Sequence, residues 1–77
     1  MLRDKTFLKL TELITGDEKE IKIVDGCLNF RLRMEELGIR EGSKIKILNK
    51  GKFGPILVSV NGNKFGIGRN AANNILI

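Results

Sequence analysis

Apolar and polar residues alternate with a period of two over much of the chain. In residues 18–24, Ile21 and Ile23 alternate with Glu20 and Lys22. This period is typical of a strand with one buried face. The pattern recurs in residues 44–47, 56–60 and 65–67, and the chain finishes with an apolar run at 75–77. These segments predict about five short strands.

One segment has the period of a helix instead. Residues 28–37 contain neither Gly nor Pro, and Phe30, Met34 and Leu37 are spaced so that they form one apolar helix face. Gly38 follows, at the position where a left-handed C-terminal cap is usually glycine. The spacing therefore predicts one short helix, which comes after the first strand.

Turn residues separate the later strands. Asn61 and Gly62 form the dipeptide best suited to a two-residue hairpin, and the loop at 49–55 carries two glycines and the only proline. A chain of 77 residues allows one domain. Short strands joined by tight turns are typical of a small closed or nearly closed barrel. We therefore expect a single mainly β barrel over residues 1–77, of about five strands with one helix inserted after the first.

Charge is unevenly distributed along the chain. The net charge is +5, all nine carboxylates lie in residues 1–41, and residues 42–77 carry six Lys or Arg. This excess indicates either a surface for nucleic acid or an acidic partner, or a solubilising outer face of the barrel. Residues 1–9 lack the layout of a secretion signal, and one cysteine cannot form an internal disulfide, so we expect a cytoplasmic protein.

Enzyme chemistry has little support. The chain has no histidine, which removes the commonest general base and the commonest ligand for transition metals. Residues 66–71 match the dinucleotide pattern G-x-G-x-x-A, but no βαβ unit surrounds them. Cys27 is a weak candidate metal ligand, because no second cysteine or histidine accompanies it. We therefore expect neither an enzyme nor an evident cofactor.

Two surfaces are candidates for binding. Leu28 and Leu32 project from the side of the helix opposite its apolar face, with Arg31 beside them, so they either pack under the N-terminal segment or form an exposed apolar edge. Lys52 and Phe53 lie in the glycine- and proline-containing loop. An alternative is a nucleic-acid surface, for which the candidate residues are Lys44, Lys46, Lys52, Phe53 and Lys64.

Residues 30–42 resemble the FeoA family, in which an arginine-bearing helix ends in a leucine-glycine-aliphatic step that is followed by a second glycine and a strand. Residues 53–56, with the sequence Phe-Gly-Pro-Ile, resemble the glycine–proline loop of that family. Residues 58–72 are similar to its closing strands. The resemblance covers about residues 10–77.

The resemblance implies an SH3-like barrel, which agrees with the strand count. It also implies a small accessory protein of bacterial or archaeal ferrous-iron uptake that binds the cytosolic part of the FeoB transporter and meets the membrane only through it. A similar domain forms the C-terminal part of iron-dependent repressors, so a metal-linked regulatory domain is a further alternative. Binding of iron or another divalent metal is implied by family association only, and the sequence leaves homo-oligomer formation open.

Overall fold

The computed structural model describes residues 7–77, so most of the segment used to argue against a secretion signal lies outside the described residues. Six strands, two helices and one 3-10 turn make up the described chain. In order they are the 3-10 turn Leu10–Glu12, β1 Glu18–Glu20, β2 Ile23–Val24, α1 Leu28–Glu36, β3 Lys44–Asn49, β4 Ile56–Val60, β5 Asn63–Ile67, α2 Arg69–Ala72 and β6 Ile75–Leu76.

The strands form two antiparallel sheets. The larger sheet has the order β1-β3-β4-β5, and the smaller one pairs β2 with β6. On its other side β6 meets the start of the described chain, where Lys9 forms a bridge with Leu76 and Ile77 N donates to Leu8 O at 2.7 Å. The mainly β architecture is confirmed, although the two sheets do not close into one continuous barrel within residues 7–77.

The predicted strand at 18–24 is two strands. Ile21 N donates to Ser43 O, and Lys22 N donates to Leu76 O, both at 2.8 Å, so the chain passes from the larger sheet to the smaller one between these residues. A strand that bends from one sheet into the next is how two packed sheets form a corner. The alternation hides this bend, because Ile21 is buried and Ile23 half-buried on either side of it.

The core lies between the two sheets and α1. Alternate residues of β3, β4 and β5 point into it, as their period of two predicts. Between β5 and β6 the chain forms the four-residue helix α2, whose Ala72 is fully buried. The buried apolar side chains are Leu10, Leu13, Ile21, Met34, Ile39, Ile45, Ile47, Ile56, Val58, Val60, Ile67, Ala72 and Ile75.

Helix α1 ends where the sequence predicted. Gly38 has φ +90°, and its N–H donates to Glu35 O, while Ile39 N donates to Met34 O at 2.8 Å. These two bonds form a Schellman motif, in which Ile39 and Met34 are the buried apolar pair. The predicted apolar face is correct for Met34 but not for Leu37, which is 38% exposed.

A candidate partner-binding cleft beside helix α1

A cleft of about 430 Å³ lies along the outer side of α1. It combines residues of the helix with residues that precede and follow it. This is possible because β2 leads into the helix and the Schellman motif turns the chain back along it. The lining residues are Val24, Leu28, Arg31, Leu32, Glu35, Ile39, Arg40 and Glu41.

The two leucines of this cleft form an exposed apolar edge. Leu28 is 61% exposed and Leu32 is 49% exposed. They lie one helical turn apart, on the side of α1 away from the buried Met34. Within residues 7–77 these leucines are therefore exposed, whereas most of the N-terminal segment that could cover them lies outside the described residues.

Charged side chains of both signs surround the leucines. Arg31 and Glu35 come from α1, while Arg40 and Glu41 come from the segment after it. The Arg40 guanidinium also donates weakly to Glu35 O at 3.5 Å, which places it across the end of the helix. An apolar centre with a polar rim is the composition of a modest protein–protein interface.

The other two candidate binding residues lie apart from this cleft. Lys52 and Phe53 belong to the loop between β3 and β4, where Phe53 is 88% exposed, and neither residue lines the cleft. Arg69 holds the loop in place, since its Nε donates to Gly54 O at 3.0 Å and its Nη2 donates to Gly51 O. The structure thus separates the candidate residues into two groups.

Two cations of the C-terminal half have structural roles that their sequence does not signal. Lys50 donates from Nζ to Leu13 O at 2.8 Å and to Thr11 O, which fixes the end of the 3-10 turn. Its main-chain N–H also donates to Thr15 Oγ1 at 3.0 Å. The second of these cations is Arg69, which donates to Gly54 O and Gly51 O as described above. Neither residue was singled out from the sequence, because a lysine or arginine that caps carbonyls has no local pattern.

The cleft also contains residues that were not predicted. The half-buried Val24 contributes apolar surface, Ile39 lines the cleft although it is only 1% exposed, and Arg40 and Glu41 contribute charge. The only sequence signal for them is their position, directly before and after the helical segment.

Two of the four lysines proposed for nucleic-acid binding face carboxylates. Lys44 is opposite Glu20 and Lys46 is opposite Glu18 in the β1–β3 ladder. Directly opposite residues of an antiparallel pair share one face of the sheet, so their charges offset each other. The β surface therefore has alternating signs here rather than the positive stripe that a phosphate backbone requires.

Cys27 has an exposed free thiol at the N-cap of α1. Its side chain makes no capping hydrogen bond, and its carbonyl accepts from Arg31 N at 3.0 Å. No group of three or more His, Cys, Asp or Glu side chains that could hold a metal occurs in residues 7–77. Cys27 is therefore not part of such a group within residues 7–77.

None of the helices described in residues 7–77 has the length and apolar character needed to cross a membrane.

Comparison with known proteins identifies the family. The FeoA domain model matches residues 8–77. A Methanocaldococcus jannaschii protein, named as a candidate Fe(2+) transport protein A, is 32% identical over 62 residues that cover 80% of this chain and 74% of the relative. The crystal structure of an iron uptake regulatory protein (FeoA) has a TM-score of 0.86 and 30% identity, over 92% of this chain and 95% of that chain.

Two further structures show how widely the fold occurs. Stenotrophomonas maltophilia FeoA, solved with zinc and described as a prokaryotic SH3 domain protein, has a TM-score of 0.75 at 25% identity, over 91% of this chain and 89% of that chain. A manganese-dependent transcriptional repressor shares the fold over 97% of this chain and 42% of its own length, with a TM-score of 0.85 at 19% identity. The SH3-like fold is thereby confirmed, and the chain belongs to the FeoA family.

Proposed function

We propose that this protein is an accessory of ferrous-iron uptake that binds, through the cleft beside α1, to the cytosolic part of a FeoB-type transporter. Its place would then be the cytoplasm, and it would meet the membrane only through that partner. Membership of a family linked to Fe(2+) transport supports a role in ferrous-iron uptake. The exposure of Leu28 and Leu32 supports the choice of this cleft as the binding surface.

The exposure of these leucines is the observation that carries the assignment. Single exposed apolar side chains such as Ile14 occur elsewhere on this chain, but Leu28 and Leu32 lie together along one side of a helix and line the same cleft. Two leucines on adjacent turns, next to a concave surface and within reach of Arg31, can anchor a partner side chain or enter a partner pocket. Residues that anchor an interface in this way dominate its affinity.

The first experiment is a titration of isotope-labelled protein with the cytosolic domain of the transporter from the same organism. We expect amide shifts concentrated on α1 and on residues 39–41. A transporter domain that causes no shifts, together with no retention of the protein by the full-length transporter, would refute the proposed partner.

A double variant locates the surface. Leu28→Asp with Leu32→Asp places two carboxylates in the apolar centre of the cleft, and we expect binding to weaken at least about 30-fold, as loss of a hot spot does. Ile14→Asp is the matched control, since Ile14 is 66% exposed and does not line the cleft. Equal loss in both variants, or wild-type affinity in the double variant, would contradict the assignment to this cleft.

Lys52 and Phe53 are proposed as a second, smaller contact with the same partner. Phe53 is almost fully exposed on a loop that Arg69 anchors, which limits the entropy lost when it is bound. Phe53→Ser should therefore weaken binding less than the double variant of the cleft. An effect as large as that of the double variant would make the loop the main site.

A further inference from the structure

Strand β5 is an edge strand. It is the last strand of the larger sheet, with β4 on one side and no further strand of residues 7–77 on the other. An edge strand presents a row of main-chain donors and acceptors that can pair with another chain. We call the outward main-chain groups of Lys64 and Gly66 the β5 edge.

The hairpin geometry determines which groups lie on that edge. Asn61 and Gly62 have φ +54° and +84°, so they form the two-residue turn in which the flanking pair, Val60 and Asn63, is hydrogen-bonded. Hydrogen-bonded and open pairs alternate along an antiparallel ladder, so Lys64 and Gly66 direct their N–H and C=O groups away from β4. No hydrogen bond outside the β4–β5 ladder reaches these groups within residues 7–77.

The outer face beside this edge has one cation without an opposite charge. Lys64 is paired with Ser59, whereas Lys44 and Lys46 each face a glutamate. A strand added at the edge would place one of its own residues opposite Lys64, on the same face. An acidic residue there would have the same opposite-charge register as the Glu18–Lys46 and Glu20–Lys44 positions of the β1–β3 ladder.

Two positions further on, the same face offers apolar surface. Gly66 has no side chain, and its neighbour across the ladder, Leu57, is 41% exposed. Pro55 Cβ lies 3.3 Å from the position that a Cβ on Gly66 would occupy, so Pro55 packs against this face of Gly66 beside Leu57. A large apolar residue opposite Gly66 would lie on the same face as Pro55 and Leu57 and could contact their apolar surface from the edge.

We propose that the β5 edge binds an extended peptide of a partner protein as an added antiparallel strand. The peptide carries a large apolar residue opposite Gly66 and, two positions later, an acidic residue opposite Lys64. Antiparallel pairing continues the order of the sheet and is the more stable arrangement. This site is separate from the cleft beside α1 and does not rest on the function proposed for that cleft.

A short synthetic peptide tests the site directly. The probe is acetyl-Thr-Phe-Thr-Glu-Thr-amide, compared with the same peptide carrying Lys in place of Glu. With the Glu peptide we expect slowed amide exchange at Lys64 and Gly66 and chemical-shift changes along β5. The Lys peptide should bind about fivefold more weakly, because it places like charges opposite each other.

Charge reversal and donor removal make the test specific. Lys64→Glu should reverse the preference between the two peptides, whereas Lys52→Glu, the same change off the strand, should leave it unchanged. Methylation of the main-chain N of the peptide's Phe removes a donor to Gly66 O and should abolish binding without altering the protein. Lys64→Pro removes the corresponding donor of the protein, at an edge position where proline is tolerated.

Three results would overturn the proposal. The first is an absence of protection at Lys64 and Gly66 up to millimolar Glu peptide. The second is equal binding of the Glu, Lys and N-methylated peptides. The third is concentration-dependent self-association of Lys64→Thr with no peptide binding by the wild type, which would show that Lys64 only guards the edge against pairing.

Discussion

The loop between β3 and β4 and the outer side of α1 use similar residue types in opposite ways. At the loop, the cations Lys50 and Arg69 donate to main-chain carbonyls and hold irregular backbone in place. At α1, Arg31 lies on the rim of an open cleft, next to leucines that the fold leaves exposed. The count of charges in a segment therefore does not tell whether they are available to a partner.

The difference between the two regions follows from how many main-chain groups in each have no main-chain hydrogen-bond partner. A helix satisfies most of its main-chain groups internally, so the side chains of α1 are free for other contacts. A 3-10 turn and a glycine-containing loop leave carbonyls without partners, and long cationic side chains are well suited to reach them. Similar side chains thus stabilise the fold in one region and remain exposed in the other.

Among the cations of this comparison, the largest expected effect is at Lys50. Lys50→Met keeps most of the side-chain volume but removes the ammonium group, leaving the part-buried carbonyls of Thr11 and Leu13 without a protein donor. We expect the free energy of unfolding, measured by urea denaturation, to fall by about 2–3 kcal/mol. Lys52→Met is the control and should change it by less than about 0.5 kcal/mol. Similar losses in both variants would remove the distinction between structural and free cations.

Arg69 should show a smaller and more local effect. Arg69→Met releases Gly51 O and Gly54 O on a solvent-exposed loop, where water can replace the guanidinium. We expect a loss of about 1 kcal/mol in unfolding free energy and faster amide exchange in residues 51–54. Lys64→Met, which removes a cation from the neighbouring strand, should leave exchange in the loop unchanged. Unchanged loop exchange in Arg69→Met would show that the loop holds its shape without this anchor.

Much of the fold could be predicted because its signals are local. Alternation identified β3 and β4, and the positive φ values of Gly38 and Asn61 occur where a cap and a tight hairpin required them. The division of residues 18–24 could not be predicted, since alternation is the same whether a strand pairs with one sheet or two. Only the hydrogen bonds to Ser43 and Leu76 decide it.

The candidate site could be predicted in part. The helical spacing identified Leu28 and Leu32 as an edge opposite the core. Their exposure depends on which other elements pack against α1, and that is a property of the whole chain rather than of the helix. The sequence does not distinguish Lys50 from Lys52 either, because their roles also depend on the whole fold. Of the two, Lys50 is the one that donates to carbonyls distant along the chain.

At the start of α1, a change at Cys27 should raise stability. Cys27 is the N-cap but its thiol makes no capping bond, and aspartate is among the preferred residues there. Cys27→Asp should increase the unfolding free energy by about 0.5–1 kcal/mol, through a cap and a favourable charge at the helix N-terminus. Cys27→Ala is the control and should be neutral within about 0.5 kcal/mol. A strong loss in Cys27→Ala would mean that the thiol makes a contact beyond those described.

The smallest expected effect is at Leu32, and it separates the two sides of α1. Because Leu32 is about half exposed, Leu32→Ala should lower the unfolding free energy by about 0.5 kcal/mol or less. Met34→Ala, two residues further along the helix and 5% exposed, should lower it by about 2–5 kcal/mol. A loss at Leu32 as large as that at Met34 would show that the leucine belongs to the core and is not available to a partner. A negligible loss, combined with weakened partner binding, would assign this side of the helix to recognition.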